Sequence, residues 1–84
     1  MSLGGVSEPR LPIHVAFGLA VRRLREDQGV SQEELGRLTG LHRNHVGQIE
    51  RAELNPTLKS VELIARALRT SASDLIARAE RLTG

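Results

Sequence analysis

Cysteine is absent from the chain, which excludes a disulfide framework, a thiolate zinc site and thiol chemistry, and fits a reducing, cytoplasmic setting. Tryptophan and tyrosine are absent too, and Phe17 is the single aromatic residue. The core must therefore come from Leu, Val, Ile and Ala, a set better suited to packed helices than to strands. No apolar run approaches the roughly 18 residues of a membrane span, and no signal-peptide pattern opens the chain, so no membrane association is expected. There is no nucleophile–base arrangement, glycine-rich phosphate loop or paired-acid signature. Neither an enzymatic activity nor a cofactor is expected. Internal repeats, low-complexity tracts and strand-like alternation are also missing.

What is present is a short chain of 84 residues with 39% apolar side chains. One domain is the default, and a domain of this size buries only about 60% of the surface its unfolded chain exposes. Twelve cations, eleven of them arginine, outnumber ten anions for a net charge of +2. That excess is too small to establish a nucleic-acid partner, so the placement of the charges has to decide. The opening "MSLGGVSEPR" reads as part of a flexible tail over residues 1–11, followed by a single domain over 12–84.

Periodicity divides that domain into five short helices. Ile13, Phe17, Ala20 and Leu24, with Val21 at the edge, form the stripe of the first, and Gly29 ends it. "VSQEEL" starts the second: Ser31 can accept the N–H of Glu34, Glu34 can reach back to Ser31, and Val30 and Leu35 can close a hydrophobic staple. Gly40 stops it after about two turns. In the third, "HRNHVGQIER", Val46 and Ile49 share one side. Asn44, Gly47, Gln48 and Arg51 fall opposite, with Arg43 at the margin. Thr57 caps a fourth helix with the stripe Leu58, Val61, Ile64, Ala65 and Leu68. Ser71, with Asp74 three residues on, starts a fifth.

Two short helices joined through a glycine, the second with a polar outer ridge, have the pattern of a helix-turn-helix. Gly36 sits where the first of the pair must be narrow for the second to cross it, despite costing about 1 kcal/mol relative to alanine. Gly40 supplies the positive φ of the tight turn. The ridge residue types suit duplex DNA. Arginine can bond bidentately to guanine, and Asn or Gln to adenine, in the major groove. His42 and His45, spaced i, i+3, could ligate a metal, but nothing completes a four-ligand set, so no metal is expected. Contact with the groove or a phosphate is the better use of both.

The run "SQEELGRLTGLHRNHVGQIERAELNPTLKSVELIARAL" resembles the lambda-repressor-like, Xre-type helix-turn-helix regulators of bacteria and phage. The matching elements are Ser31-Gln32-Glu33-Glu34-Leu35, Gly40, Ile49-Glu50-Arg51, Asn55-Pro56 and Ile64-Ala65-x-Ala67-Leu68. Within that family the chain is most similar to controller proteins of restriction–modification systems. The resemblance implies a compact all-α fold of five helices with the helix-turn-helix at helices 2 and 3. It implies base reading by Arg43, Asn44 and Gln48, with His45 flanking, and a phosphate contact from Gln32. Arg51 would touch backbone or base at the far end of the groove. It also implies a structural ion pair between Arg25 and Glu50 that fixes the third helix against the first.

Apolar residues beyond the core stripes, at Leu63 and Ala67 on the fourth helix and Ile76 and Ala79 on the fifth, suggest a two-fold interface, the mode this family commonly uses. The expected function is therefore a homodimeric, sequence-specific regulator that occupies a near-palindromic operator and blocks or recruits RNA polymerase. A phage-type repressor, an antitoxin autoregulator and a protein-interaction module on the same fold are the alternatives.

Overall fold

The computed structural model describes residues 11–83, so the tail assigned to residues 1–11 lies, but for Leu11, outside the described residues. Five helices follow in order: α1 Ile13–Asp27, α2 Gln32–Thr39, α3 Arg43–Glu50, α4 Leu58–Ala67 and α5 Ala72–Leu82. Each start after the first has a local cause. Ser31, Thr57 and Ser71 accept the backbone N–H three residues on, from Glu34, Ser60 and Asp74, satisfying one of the four free donors of each helix. Only half of the expected capping box forms at α2. The Glu34 carboxylate turns to the Arg37 guanidinium one turn ahead, where a charge-assisted bidentate bond outcompetes the Ser31 amide.

Three helices end in the same device. After α1, Gly29 is left-handed and donates to the Glu26 carbonyl while Val30 donates to Arg25, the two bonds of a Schellman motif. The pattern recurs after α3, where Ala52 (φ 59°) donates to Ile49 and Glu53 to Gln48. After α4, Arg69 (φ 61°) donates to Arg66 and Thr70 to Ala65. Tight endings of this kind keep the connections short and bring helix ends close together. The Gln28 amide, for example, ties the end of α1 to the Leu68 carbonyl at the end of α4, at 2.7 Å.

Val21, Leu35, Val46, Ile49, Ile64, Leu68 and Leu75 fill the centre, drawing on all five helices. Alanines at 16, 20 and 79 let α1 and α5 pack closely. Two stripe residues depart from expectation: Ile13 is 50% and Leu58 88% exposed, because each lies in the first turn of its helix, beyond the edge of the core. Ala79 departs the other way. At 0% exposure it is sealed within its own chain, so it has no surface to offer a second copy and is removed from the expected interface. Leu63, Ala67 and Ile76 stay partly exposed. No helix among the described residues is long and apolar enough to cross a membrane.

Candidate nucleic-acid interface

The geometry of α2 and α3 is set at two glycines and a threonine. A Cβ at Gly36 would stand 2.7 Å from the Leu41 carbonyl oxygen and 2.9 Å from the Arg43 nitrogen, so the start of α3 can rest on α2 only where no side chain intervenes. Gly40 makes the turn at φ 77°. The Thr39 hydroxyl donates back to Leu35 at 2.7 Å and accepts the Leu41 N–H at 3.2 Å, which joins the end of one helix to the approach to the next. A second close approach was not legible in the sequence. Gly18 of α1 lies against the last carbonyls of α3, and a Cβ there would be 2.6 Å from the Glu50 oxygen.

Next to that contact lies the anchor. Glu50 accepts from Arg25 Nε at 2.7 Å and Nη2 at 3.0 Å, and Arg25 Nη1 reaches the Val30 carbonyl at 2.8 Å. The pair is withdrawn from water, with side-chain exposures of 10% for Arg25 and 2% for Glu50. The hydrogen bond from Glu50 raises the Arg25 pKa above its ordinary value against the opposing pull of desolvation. Gln32 joins the same carboxylate, its Nε2 donating to Oε1 at 2.9 Å. One carboxylate thus binds α1, α2 and α3 together. Gln32, expected at a phosphate, has one of its two amide N–H groups engaged inside the fold, and the other has no partner among the described residues.

With its inner face so held, α3 turns the remaining side chains outward. His42 precedes it as the N-cap, its Nδ1 accepting the Asn44 N–H at 3.0 Å. His42 is therefore a capping residue whose outer nitrogen alone is left for a partner. Arg43, Asn44 and Gln48 are exposed and His45 is half-buried. Arg43 approaches Glu33 at 3.7 Å across the turn, an ion pair in open solvent of little energetic weight. Among the described residues, the Asn44 and Gln48 side chains make no hydrogen bond, whereas Arg51 is engaged. Glu53 accepts from its Nε at 2.9 Å and its Nη2 at 3.2 Å. That bond raises the Arg51 pKa and lowers the Glu53 pKa. Nη1 folds back over Gly47, where a Cβ would come within 2.8 Å of it. Arg51 thus lies along the middle of the ridge rather than reaching for its far end. Neither Glu33 nor Glu53 was a sequence candidate, because each meets its arginine only through a turn whose shape local spacing does not reveal.

A short helix with an uncovered ridge of amide and guanidinium groups, seated on its predecessor through a left-handed glycine, defines a helix-turn-helix protein, in which the second helix enters the major groove. The chain belongs to the helix-turn-helix family whose model matches residues 21–75. It is a DNA-binding transcription regulator homologous to restriction–modification controller proteins, in a family of regulators rather than enzymes. It is 43% identical over 58 residues to Control protein C.SmaI of Serratia marcescens, covering 69% of each chain. To Control protein C.BamHI of Bacillus amyloliquefaciens it is 37% identical over 65 residues, covering 76% of this chain and 80% of that one. The crystal structure of the restriction-modification controller protein C.AhdI from Aeromonas hydrophila matches with TM-score 0.71 and 41% identity, over 73% of this chain and 92% of that one.

Proposed function

We propose that the chain works in the cytoplasm as a homodimer on a near-palindromic operator, as a controller-type regulator that blocks or recruits RNA polymerase there. The observation that carries this reading is the ridge of α3. Asn44 and Gln48 are exposed and make no internal hydrogen bond among the described residues, on a helix whose opposite face is clamped by Glu50. Polar groups left unpaired on a rigid support are what direct readout of base edges requires. Arg43, His42, His45 and the other amide N–H of Gln32 flank the ridge and supply the further base and phosphate contacts of the site.

The two-fold arrangement rests on apolar surface away from that ridge. Ile76 and Leu58 line a groove with Ile13, Phe17 and Val61, and Leu63 and Ala67 are partly uncovered on α4. A second copy seated on the groove at Ile76 would set two reading helices about 34 Å apart, in successive major grooves. Selection of duplexes from a random pool tests the reading directly. The expected product is a pair of inverted half-sites, bound with an affinity that falls steeply with salt as counterions are released. Ile76→Asp is expected to give a monomer by light scattering, with weak operator affinity. An enriched pool lacking any inverted repeat overturns the dimer, and an Ile76→Asp protein that stays dimeric overturns the placement of its interface at Ile76. Equal affinity for all duplexes overturns sequence-specific regulation.

A further inference from the structure

We infer that Arg51 reads a guanine in the major groove and that Glu53 is the residue that positions it, an inference that rests on the DNA-binding role of the ridge. The geometry begins with the turn after α3. Ala52 adopts a left-handed conformation (φ 59°) that is costly for a residue with a Cβ, and Glu53 donates its N–H to the Gln48 carbonyl at 2.8 Å. Such a conformation persists where the surroundings hold it. Its effect here is to fold Glu53 back against the helix it has just left, beside Arg51.

The contact is directional. Glu53 takes Nε–H and one N–H of Nη2, which is the side edge of the guanidinium. Among the described residues both N–H groups of Nη1 and the second of Nη2 remain without a partner, and these make the end-on fork that spans O6 and N7 of guanine. The fork has room to work, since the Arg51 side chain is still 56% exposed. Gly47 provides the bed: Nη1 lies so close to its α-carbon that a Cβ would stand 2.8 Å away. Asn44 and Arg51 are seven residues apart, about 20° in helical projection, so the guanidinium lies on the line of the other reading side chains.

The same carboxylate argues against a phosphate as the partner of Arg51. An anion at 2.9 Å from Nε repels a second anion and cancels the charge a phosphate would seek. It also fixes the plane of the fork, which matters for a base edge and not for a diffuse charge. Glu53 therefore exchanges general affinity for discrimination.

The test uses the full chain and the duplex that wild type selects from a random pool. In Arg51→Ala the preference for guanine at one position should fall by about tenfold or more, on the scale of a lost bidentate base contact. Replacing that guanine by 7-deazaguanine, which lacks the N7 acceptor, should weaken wild type and leave Arg51→Ala unaffected. Glu53→Ala should bind random duplexes more tightly, having lost a negative charge, while its guanine-over-adenine ratio at that position falls several-fold. A purely electrostatic role for Glu53 would raise selected and random affinities by the same factor, and that result overturns the inference. So does an Arg51→Ala protein that keeps every base preference. If wild type enriches no sequence at all, it is the proposed function that fails, and the two failures are told apart.

Discussion

Removing Glu50 should come close to unfolding the protein, and the structure indicates by how much. The carboxylate is 2% exposed and accepts three bonds, two from Arg25 at 2.7 and 3.0 Å and one from Gln32 at 2.9 Å. In Glu50→Ala the Arg25 guanidinium stays in a site 10% open to water with only the Val30 carbonyl for company, and the Gln32 amide loses its acceptor. Breaking one side of a buried pair in this way costs about 3–5 kcal/mol. A chain of 84 residues has a total stability of about 4–13 kcal/mol at typical values per residue, so the loss is a large share of the whole. Arg25→Met should cost a similar amount, because it strands the carboxylate instead. Arg25→Met with Glu50→Leu should cost less than either single change, since no charge is then left without a partner. Urea unfolding at one fixed protomer concentration measures all three, the fixed concentration being needed because the proposed dimer would add its own term. The midpoint of thermal unfolding should fall by at least about 12 °C in the single variants, at 4–8 °C per kcal/mol for a domain of this size. Single variants that lose under about 1 kcal/mol, or a double variant whose loss is the sum of the two, would refute the claim that this pair is a closed, water-excluded unit.

Gly18→Ala should destabilise by about 1–3 kcal/mol, although alanine is the better helix former, because the added carbon meets the backbone oxygen of Glu50 and not a movable side chain; a raised unfolding midpoint would show that α1 and α3 can part freely. His42→Ala should cost about 1 kcal/mol in urea unfolding while His42→Ser, which can still accept the Asn44 N–H, should cost little; equal losses would mean that the imidazole does not cap α3. The hydrogen bonds from Arg37 and Arg51 lower the pKa of Glu34 and of Glu53 below the ordinary 4.5. Their contribution to stability is therefore complete above pH 4.5 and is lost as pH falls through the lowered folded values. Carboxyl titration by NMR should place both midpoints below 4.5, and a value at or above it for Glu53 would mean that its pair with Arg51 does not persist in solution.

The helix-turn-helix was legible from sequence because its signals are local. Ser31, Thr57 and Ser71 cap through a bond spanning three residues, and Gly36 and Gly40 answer to geometry within a single motif. The ridge of α3 was legible for the same reason, since period alone separates Val46 and Ile49 from Asn44 and Gln48. What local pattern could not convey was competition between partners. Glu34 had two partners within reach and took the arginine over the amide. Gln32 could face a phosphate, and the buried Glu50 instead engaged one side of its amide. His42 was counted among the contacts and is first of all a cap. Ala79 lay beside an apolar stripe, and only the close packing of α1 against α5 shows that no surface remains there. Gly18 and Glu53 were missed because one answers to a helix more than thirty residues on and the other to a left-handed alanine that nothing in composition announces.

The division of labour within α3 has an evolutionary consequence. Its inward side chains hold the fold, whereas the exposed Asn44 and Gln48 side chains make no hydrogen bond among the described residues. Exchanging those two amides for other polar residues therefore carries almost no folding penalty, and on the proposed base-reading role a lineage can retune its operator one base pair at a time without passing through an unstable ancestor. Divergence among relatives should accordingly concentrate on these outward positions, while the carboxylate behind them stays fixed.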